Sequence, residues 1–493
     1  MLDRLEMKSI FFDKQTFYLF FLFFLLKISS FCLNPFPFAQ AFLVFCLVIF
    51  LGILFFKNPY HALALVSIEF LFGGSGHYLE FFGLSIRTVL TFVFMFLWLA
   101  YSFSDKKQIF ILNINDKLFY FLAILLVLVG ISGIIGLKNN HGLESVIADF
   151  IPYTIFAFVL AFFHLFEDKK FKYFFVRLLL IFLLGSAIFS LFNFIMFRLG
   201  IFEIHDEYYK WFRDVLTGKI TFLTYYFYRI VLPEHLLVPP ALLFISSLLM
   251  RNEKHNKMWR VFFIAAALIL ILNFSRAYFL GICCGFLILK YKHKLSRWLK
   301  VSLWSVLITI ILFVSILFIS SFGKSFGLEL LGFRFESMFT PEIETSTNTR
   351  MVKLDPILNL IQNNPVFGVG LGAEISYLNP YTFLMVNEKH FDWGYLEMIA
   401  ELGSITTFLF IVFYFYLIFE LIKKIRLVSD YHDAYIGLLA GLCSLLIINI
   451  TTPVLFHALG IFYLSLAIVF IMKPITLYEE IVTIIYRIFN KKL

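Results

Sequence analysis

The sequence predicts an all-α fold, a polytopic bundle of transmembrane helices, and three observations predict it. Of 493 residues, 61% are hydrophobic and only 15% are charged, with a mean hydropathy of +0.90; a soluble domain of this length has no interior large enough to hide so much apolar surface. The apolar residues come in runs, several of them close to the ~20 residues that cross ~30 Å of hydrocarbon. Lys and Arg cluster in alternate connections between the runs, as cytoplasmic loops require.

The elements follow in order. The N-terminal MLDRLEMKSIFFDK mixes charges of both signs and has no cleavable-leader pattern, so the apolar stretch after it reads as a first span. About fourteen hydrophobic runs fall at 15–33, 38–56, 58–73, 83–103, 118–137, 148–166, 173–198, 236–250, 259–275, 277–291, 299–321, 396–418, 433–451 and 455–472. The shorter runs imply local thinning of the bilayer or tilted neighbours. With the N-terminus in the cytoplasm, the inside connections receive Lys106–Lys107, Lys169–Lys170–Lys172, RNEKHNKMWR from Arg251, KYKHKLSRWLK from Lys290, Lys423–Lys424–Arg426 and Lys491–Lys492. That places about twenty-seven of the 41 Lys and Arg inside; the reverse orientation would put those clusters outside. Both termini are therefore expected in the cytoplasm.

The helical domain is expected over 1–473, followed by an amphipathic helix over 474–493. In that tail Ile475, Tyr478, Ile481, Val482, Ile485 and Phe489 recur at helical spacing before a basic end, which suits a helix lying on the cytoplasmic membrane surface without a catalytic role. The net charge of +9 is distributed for a membrane surface and not for nucleic acid. Cys32, Cys46, Cys283, Cys284 and Cys443 lie in or beside apolar runs without metal-ligand spacing and read as packing residues. No cofactor or metal is implied.

Two outer segments are long. Gly200–Pro233 is dense in Tyr, Trp and paired charges, reading either as an interfacial helix with an aromatic belt or as a wall on which sugars stack. The segment 322–395 breaks the apolar pattern and holds its own charges and glycines, so the chemistry is expected there.

Three arginines stand where charge is costly. Arg276 lies in NFSRAYF between two runs, Arg350 opens a segment whose Leu354, Ile357, Leu358 and Ile361 recur at helical spacing, and Arg87 lies within a run near its outer end. Ionisable groups at membrane depth usually face an interior cavity and are functional candidates, against the plainer alternative of snorkelling or pairing with a carboxylate. Two convergent guanidiniums suit a diphosphate, since each makes two parallel charge-assisted hydrogen bonds. Gly368, Gly370 and Gly372 alternate through NPVFGVGLG between Pro365 and Glu374. They follow no strand of a βαβ unit, which excludes a dinucleotide site, and leave two readings open: a turn that re-enters the bundle, or a loop with Gly368 and Gly370 against a ligand. In KHFDWGYLEMIAELG, His390 titrates near neutrality and Asp392 is an ionised acceptor; either suits removal of a proton from a sugar hydroxyl. Trp393 and Tyr395 beside them offer flat faces to a sugar, or form an interfacial belt. Glu342 and Glu344 lie in a Thr/Ser-rich stretch that reads as a solvated turn, and Leu33–Phe38 has no Asp-x-Asp for a metal.

Three pieces in this order resemble the bacterial O-antigen ligase/polymerase family of membrane glycosyltransferases: FSRAYFLGICCGFLIL, Arg350 through NNPVFGVGLG, and YLEMIAELGSITTFLF, together about Asn273 to Phe410. The resemblance implies a multi-pass protein of the bacterial inner membrane that uses an undecaprenyl-diphosphate-linked glycan on the outer, periplasmic side. By residue matching it implies that Arg276 and Arg350 hold the diphosphate. The family often has histidine–asparagine where this chain has Asp392–Trp393, so the base is Asp392 by register or His390 by chemistry. The activity expected is metal-independent polymerisation of O-antigen or a similar surface polysaccharide, alongside a chain-length regulator and a flippase. Ligation to lipid A–core is the alternative within the family. A non-enzymatic transporter of lipid-linked glycans would be expected to show repeated halves, and no such repeat is evident.

Overall fold

Each apolar run is taken up by helix in the structure, a computed structural model that describes residues 14–104, 117–165, 168–223, 226–251, 257–340, 345–427 and 432–472. By length and composition, eight of these helices are long and apolar enough to cross a membrane, among them Lys14–Leu33, Pro37–Lys57, Lys117–Lys138, Leu295–Ser320 and Gly394–Leu427. Six shorter apolar helices complete the set: Pro59–Phe72, Ile86–Tyr101, Trp259–Asn273, Arg276–Leu289, His432–Ile448 and Ala458–Met472. The chain is thus an all-α polytopic membrane protein, as its composition requires. Proline marks several starts, where its missing N–H costs nothing: Pro37 and Pro59 open their helices, and the Asn58 side chain caps the second by accepting from Tyr60 N. Within the 148–166 run, Pro152 sits just ahead of a 3₁₀ turn at Ile155–Ala157 that divides Leu143–Thr154 from Phe158–Leu165. The predicted helix over 474–493 lies outside the described residues, as do Lys106–Lys107 and Glu342–Glu344.

Long helices form the rim and several short ones the centre. Lys14–Leu33, Pro37–Lys57 and Leu295–Ser320 leave large apolar side chains such as Phe17, Phe42 and Leu303 exposed, the surface a lipid-facing helix presents. His432–Ile448 and Ala458–Met472 are buried almost throughout. Their close approach depends on small residues. In Arg276–Leu289, a Cβ on Gly281 would meet Ser444 Oγ at 2.7 Å, and one on Gly285 would meet the Leu243 side chain at 2.2 Å. Gly437 and Gly441, also four apart, take Phe244 and the Tyr463 hydroxyl in the same way. Lipid offers no hydrophobic drive between helices, so backbone proximity supplies the packing attraction.

The two ends of the bundle differ. At one end, connections rich in Lys and Arg meet: Asp433 lies 3.8 Å from Arg251 and 3.6 Å from His293, and Arg426 Nε donates to Tyr291 Oη at 3.3 Å. At the other end, the turn at Asn273–Arg276 meets both long segments, through Arg229 Nε on Asn273 O at 2.6 Å and Arg276 on Ser337 and Thr347.

Those long segments carry structure the hydropathy pattern did not reveal. Residues 200–233 form a helix, Glu207–Asp214, and an antiparallel hairpin, Lys219–Leu223 with Phe227–Val231. Trp211 is buried there and donates to Ser30 Oγ at 3.0 Å, so its indole clamps the segment to the first helix and leaves no face for a sugar. Residues 322–395 hold helices Leu328–Phe339, Thr345–Val352 and Leu354–Asn363 and a hairpin, Ile375–Leu378 with Met385–Glu388. A small second core of Ile357, Val369, Ala373, Ile375, Tyr377, Phe391 and Ala400 joins this segment to the helix that follows it.

Candidate active site

The site begins at a strained turn. Phe274 takes a left-handed φ of 48° between the helices ending at Asn273 and starting at Arg276, a conformation that costs of order 1–3 kcal/mol in a non-glycine residue. The neighbours hold it there. Asn273 is buried, its amide 3.0 Å from His235 Nδ1 and its carbonyl accepting from Arg229. Arg276 leaves from the first turn of its helix and donates to Ser337 Oγ at 3.1 Å and to Thr347 Oγ1 at 2.7 Å. Thr347 lies one helical turn before Arg350 in Thr345–Val352, so both sequence-predicted arginines belong to one corner of the molecule. The Nε of Arg350 is buried without a hydrogen-bond partner, an unsatisfied donor at the place where an anion is expected.

Further cations, missed in the sequence, surround this corner. Arg334 is buried with its guanidinium carbon 5.4 Å above the Phe274 ring. Arg229 and Lys219 come from the hairpin of the other long segment. Burial holds the Lys219 ammonium below its ordinary pKa; Arg229 and Arg350 push the same way, partly opposed by Asp392 and Glu388. The signal that could have found Lys219 and Arg229 was their two-residue alternation with apolar partners in KITFL and FYRIV, which is a strand pattern.

Asp392 is occupied. Its carboxylate lies 2.6 Å from Lys353 Nζ, which also meets Glu388 at 2.7 Å and stands 5.4 Å over the Tyr377 ring. Lys353 is buried, so these acids compensate a charge that has lost its water. The Tyr377 hydroxyl donates to Glu388 at 2.9 Å, and its pKa is pushed up to about 12 by burial and by that carboxylate. Asp392 itself has a left-handed φ of 62°. As a base it would have to give up a buried ammonium before accepting a proton.

His390 is differently placed. Its Nδ1 lies 3.9 Å from the carboxylate of Glu397, in the first turn of the next helix, and its ring is exposed. Glu397 is buried and oriented by the backbone N–H of Phe391, which donates to its second oxygen at 3.0 Å. The Glu397 carboxylate raises the His390 imidazole above its ordinary 6.5. His457 packs edge-on, ring centroids 5.7 Å apart, and burial pushes its pKa down to about 3, so it stays neutral. The donor atoms of His390, Glu397 and His457 lie within 4.8 Å of one another. A tetrahedral cation would need ligand edges of roughly 3.3 Å, given metal–nitrogen bonds of ~2.0–2.1 Å. As it stands, the trio is an imidazole–carboxylate pair with a neutral ring beside it. His293, His432 and Asp433, at the opposite end, form a second such group, with Arg251 close to its carboxylate.

The other sequence candidates have structural partners. Gly368 (φ 68°) and Gly370 (φ 91°) are left-handed, and their amides, with those of Val369, Leu371 and Gly372, all donate within the protein: to Asn364 O, Glu401 O, Ala400 O, Ser132 O and Asp149 Oδ2 respectively. A Cβ on Gly370 would lie 2.1 Å from Gly136 N. Of the two readings of this run, the geometry is that of the turn re-entering the bundle; no amide is turned to a ligand. It seats against Gly403, whose φ of 78° breaks the Gly394–Leu427 helix. Trp393 donates from its indole to Arg350 O at 3.0 Å, which ties the helix carrying Arg350 to the loop that holds His390 and Asp392. Tyr395 donates to Leu446 O at 2.7 Å in helix packing. Arg87 is buried against Glu69, with Nε 3.1 Å from Oε2, and donates to Gly74 O at 2.6 Å. Pairing with a carboxylate, the plainer alternative for this arginine, is what the structure contains.

Residues 261–411 match the family model described as O-antigen ligase. The three pieces read from the sequence fall inside that stretch, over which the chain is similar to O-antigen ligase/polymerase-type membrane enzymes. The match ends before the His457 loop and begins after the hairpin carrying Lys219 and Arg229. No curated protein matches the chain.

Proposed function

We propose that this protein is a polymerase of O-antigen or a related surface polysaccharide, moving a growing glycan from undecaprenyl diphosphate onto a hydroxyl of a lipid-linked repeat unit at the periplasmic face of the bacterial inner membrane. The observation that carries the reading is the bond from Arg276 to Thr347 on the short helix that bears Arg350, beside a loop whose His390 faces a buried carboxylate. In the reaction the bond from the anomeric carbon to the diphosphate breaks and one to the acceptor oxygen forms. The hydroxyl proton passes to His390 and the electron pair leaves with the diphosphate. That group is already a good leaving group, so the protein has to orient the two glycans, accept one proton and stabilise charge on the departing phosphate. Arginines Arg276 and Arg350 supply that charge in a bidentate form a lysine cannot match. His390 takes the base role over Asp392 because its ring is exposed and its charged form is supported by Glu397, whereas Asp392 is held by Lys353.

A second reading, ligation of finished chains to lipid A–core, fits the O-antigen ligase family model matched by residues 261–411 equally well. Purified protein supplied with a lipid-linked repeat unit alone separates the two. A polymerase lengthens it into a ladder on a gel; a ligase leaves it unchanged until lipid A–core is added. A chain-length regulator and a flippase are the partners such a polymerase would use.

A further inference from the structure

The hairpin Lys219–Leu223/Phe227–Val231 lies outside the matched stretch, in the other long segment, yet it is joined to the turn that leads into Arg276 by Arg229, which donates to Asn273 O at 2.6 Å. Lys219 pairs with Val231 and Thr221 with Arg229, so Lys219, Thr221 and Arg229 share one face of this two-stranded ribbon; Ile220 and Ile230, paired with each other, are buried on the opposite face. Arg229 is anchored by Nε to the carbonyl of Asn273, three residues before Arg276. Thr221 carries a buried hydroxyl with no hydrogen-bond partner. Lys219 makes no ion pair with a carboxylate among the described residues; Asp392 and Glu388, the acids that act on it, pair with Lys353. The Lys219 ammonium and the Thr221 hydroxyl, side by side on this face, are donors lacking an acceptor, next to a guanidinium already fixed on Asn273. An anion with several oxygens is the ligand that would satisfy both.

We infer that Lys219 and Thr221 form the far wall of the diphosphate site, gripping the lipid diphosphate from the side opposite Arg276 and Arg350. The inference rests on the diphosphate reading above and extends it to residues from a separate part of the chain. A lipid monophosphate has fewer oxygens to span the two walls, so the hairpin would be what makes the protein prefer diphosphate to monophosphate carriers.

The test measures binding of undecaprenyl diphosphate, undecaprenyl phosphate and undecaprenol to the full-length protein in nanodiscs. Wild type, Lys219→Gln, Lys219→Arg, Thr221→Val and Arg350→Ala are compared, with thermal unfolding of each as a check on folding. Lys219→Gln is expected to weaken diphosphate binding roughly 10- to 100-fold, the effect of one charge-assisted hydrogen bond. Monophosphate binding should fall less and undecaprenol binding should not change; Lys219→Arg should retain most of the affinity and Thr221→Val lose part of it. If Lys219→Gln and Thr221→Val unfold as wild type does and bind the diphosphate equally well, the hairpin has no such role. Should Arg350→Ala alone lose binding, the inference fails and the two-arginine site stands. Should Lys219→Gln lose binding while Arg350→Ala keeps it, the hairpin stands and the two-arginine site fails.

Discussion

Replacing His390 by Gln and, separately, Asp392 by Asn tests the assignment of the base, and the structure sets unequal magnitudes for the two. General-base catalysis contributes roughly 10²–10⁴-fold, about 3–5 kcal/mol of barrier, so His390→Gln should cut the rate of glycan transfer by that factor while leaving donor binding nearly unchanged. Asp392→Asn removes one of two carboxylates from the Lys353 ammonium and leaves Glu388 at 2.7 Å to compensate it. Because Asp392 is 39% exposed at its side chain, the lost pair should cost about 1 kcal/mol of stability or less, and the rate should fall by less than about tenfold. The assay is single-turnover transfer by purified protein from a lipid-linked glycan to a lipid-linked repeat, followed across pH 5 to 9 to keep the two proton acceptors distinguishable. An Asp392→Asn enzyme dead at every pH beside a His390→Gln enzyme of near-normal rate would refute the reasoning and return the role to the residue in family register.

Three other outcomes follow from the same geometry. A base at His390, as proposed, acts when neutral, and Glu397 raises the pKa of that ring, so wild-type activity should fall away as pH drops through a point above 6.5; Glu397→Gln should carry that limb to lower pH, read from the pH–rate profile. Arg350→Lys keeps the charge but loses the planar fork, so polymer length on a surface-glycan gel should collapse nearly as far as in Arg350→Ala. Arg87→Met would strand the buried Glu69 carboxylate and should cost about 3–5 kcal/mol of stability, seen as a lowered unfolding temperature, with diphosphate affinity unchanged in the protein that remains folded.

Hydropathy alone determined the membrane bundle and the order of its helices, because apolar runs of spanning length have one low-energy solution in lipid: each must satisfy its own backbone hydrogen bonds as helix. It also brought out Arg276 and Arg350, since a charge beside an apolar run is conspicuous without any knowledge of its neighbours. What the tertiary structure decided was pairing. Asp392 and His390 are two residues apart and alike on paper; only folding gives one to Lys353, 39 positions upstream, and the other to Glu397 in the next helix. Glu69 and Arg87 are 18 positions apart and Arg229 and Asn273 are 44 apart, distances at which no local spacing rule operates. The glycines of 368–372 looked equally suited to a ligand and to a turn because φ > 0 serves both; the choice lies in which backbone they approach, here Gly136 and Gly403. The hairpin bearing Lys219 escaped notice because two five-residue strands leave a weak periodic signal, so its place beside the turn at Asn273–Arg276 is a product of packing alone.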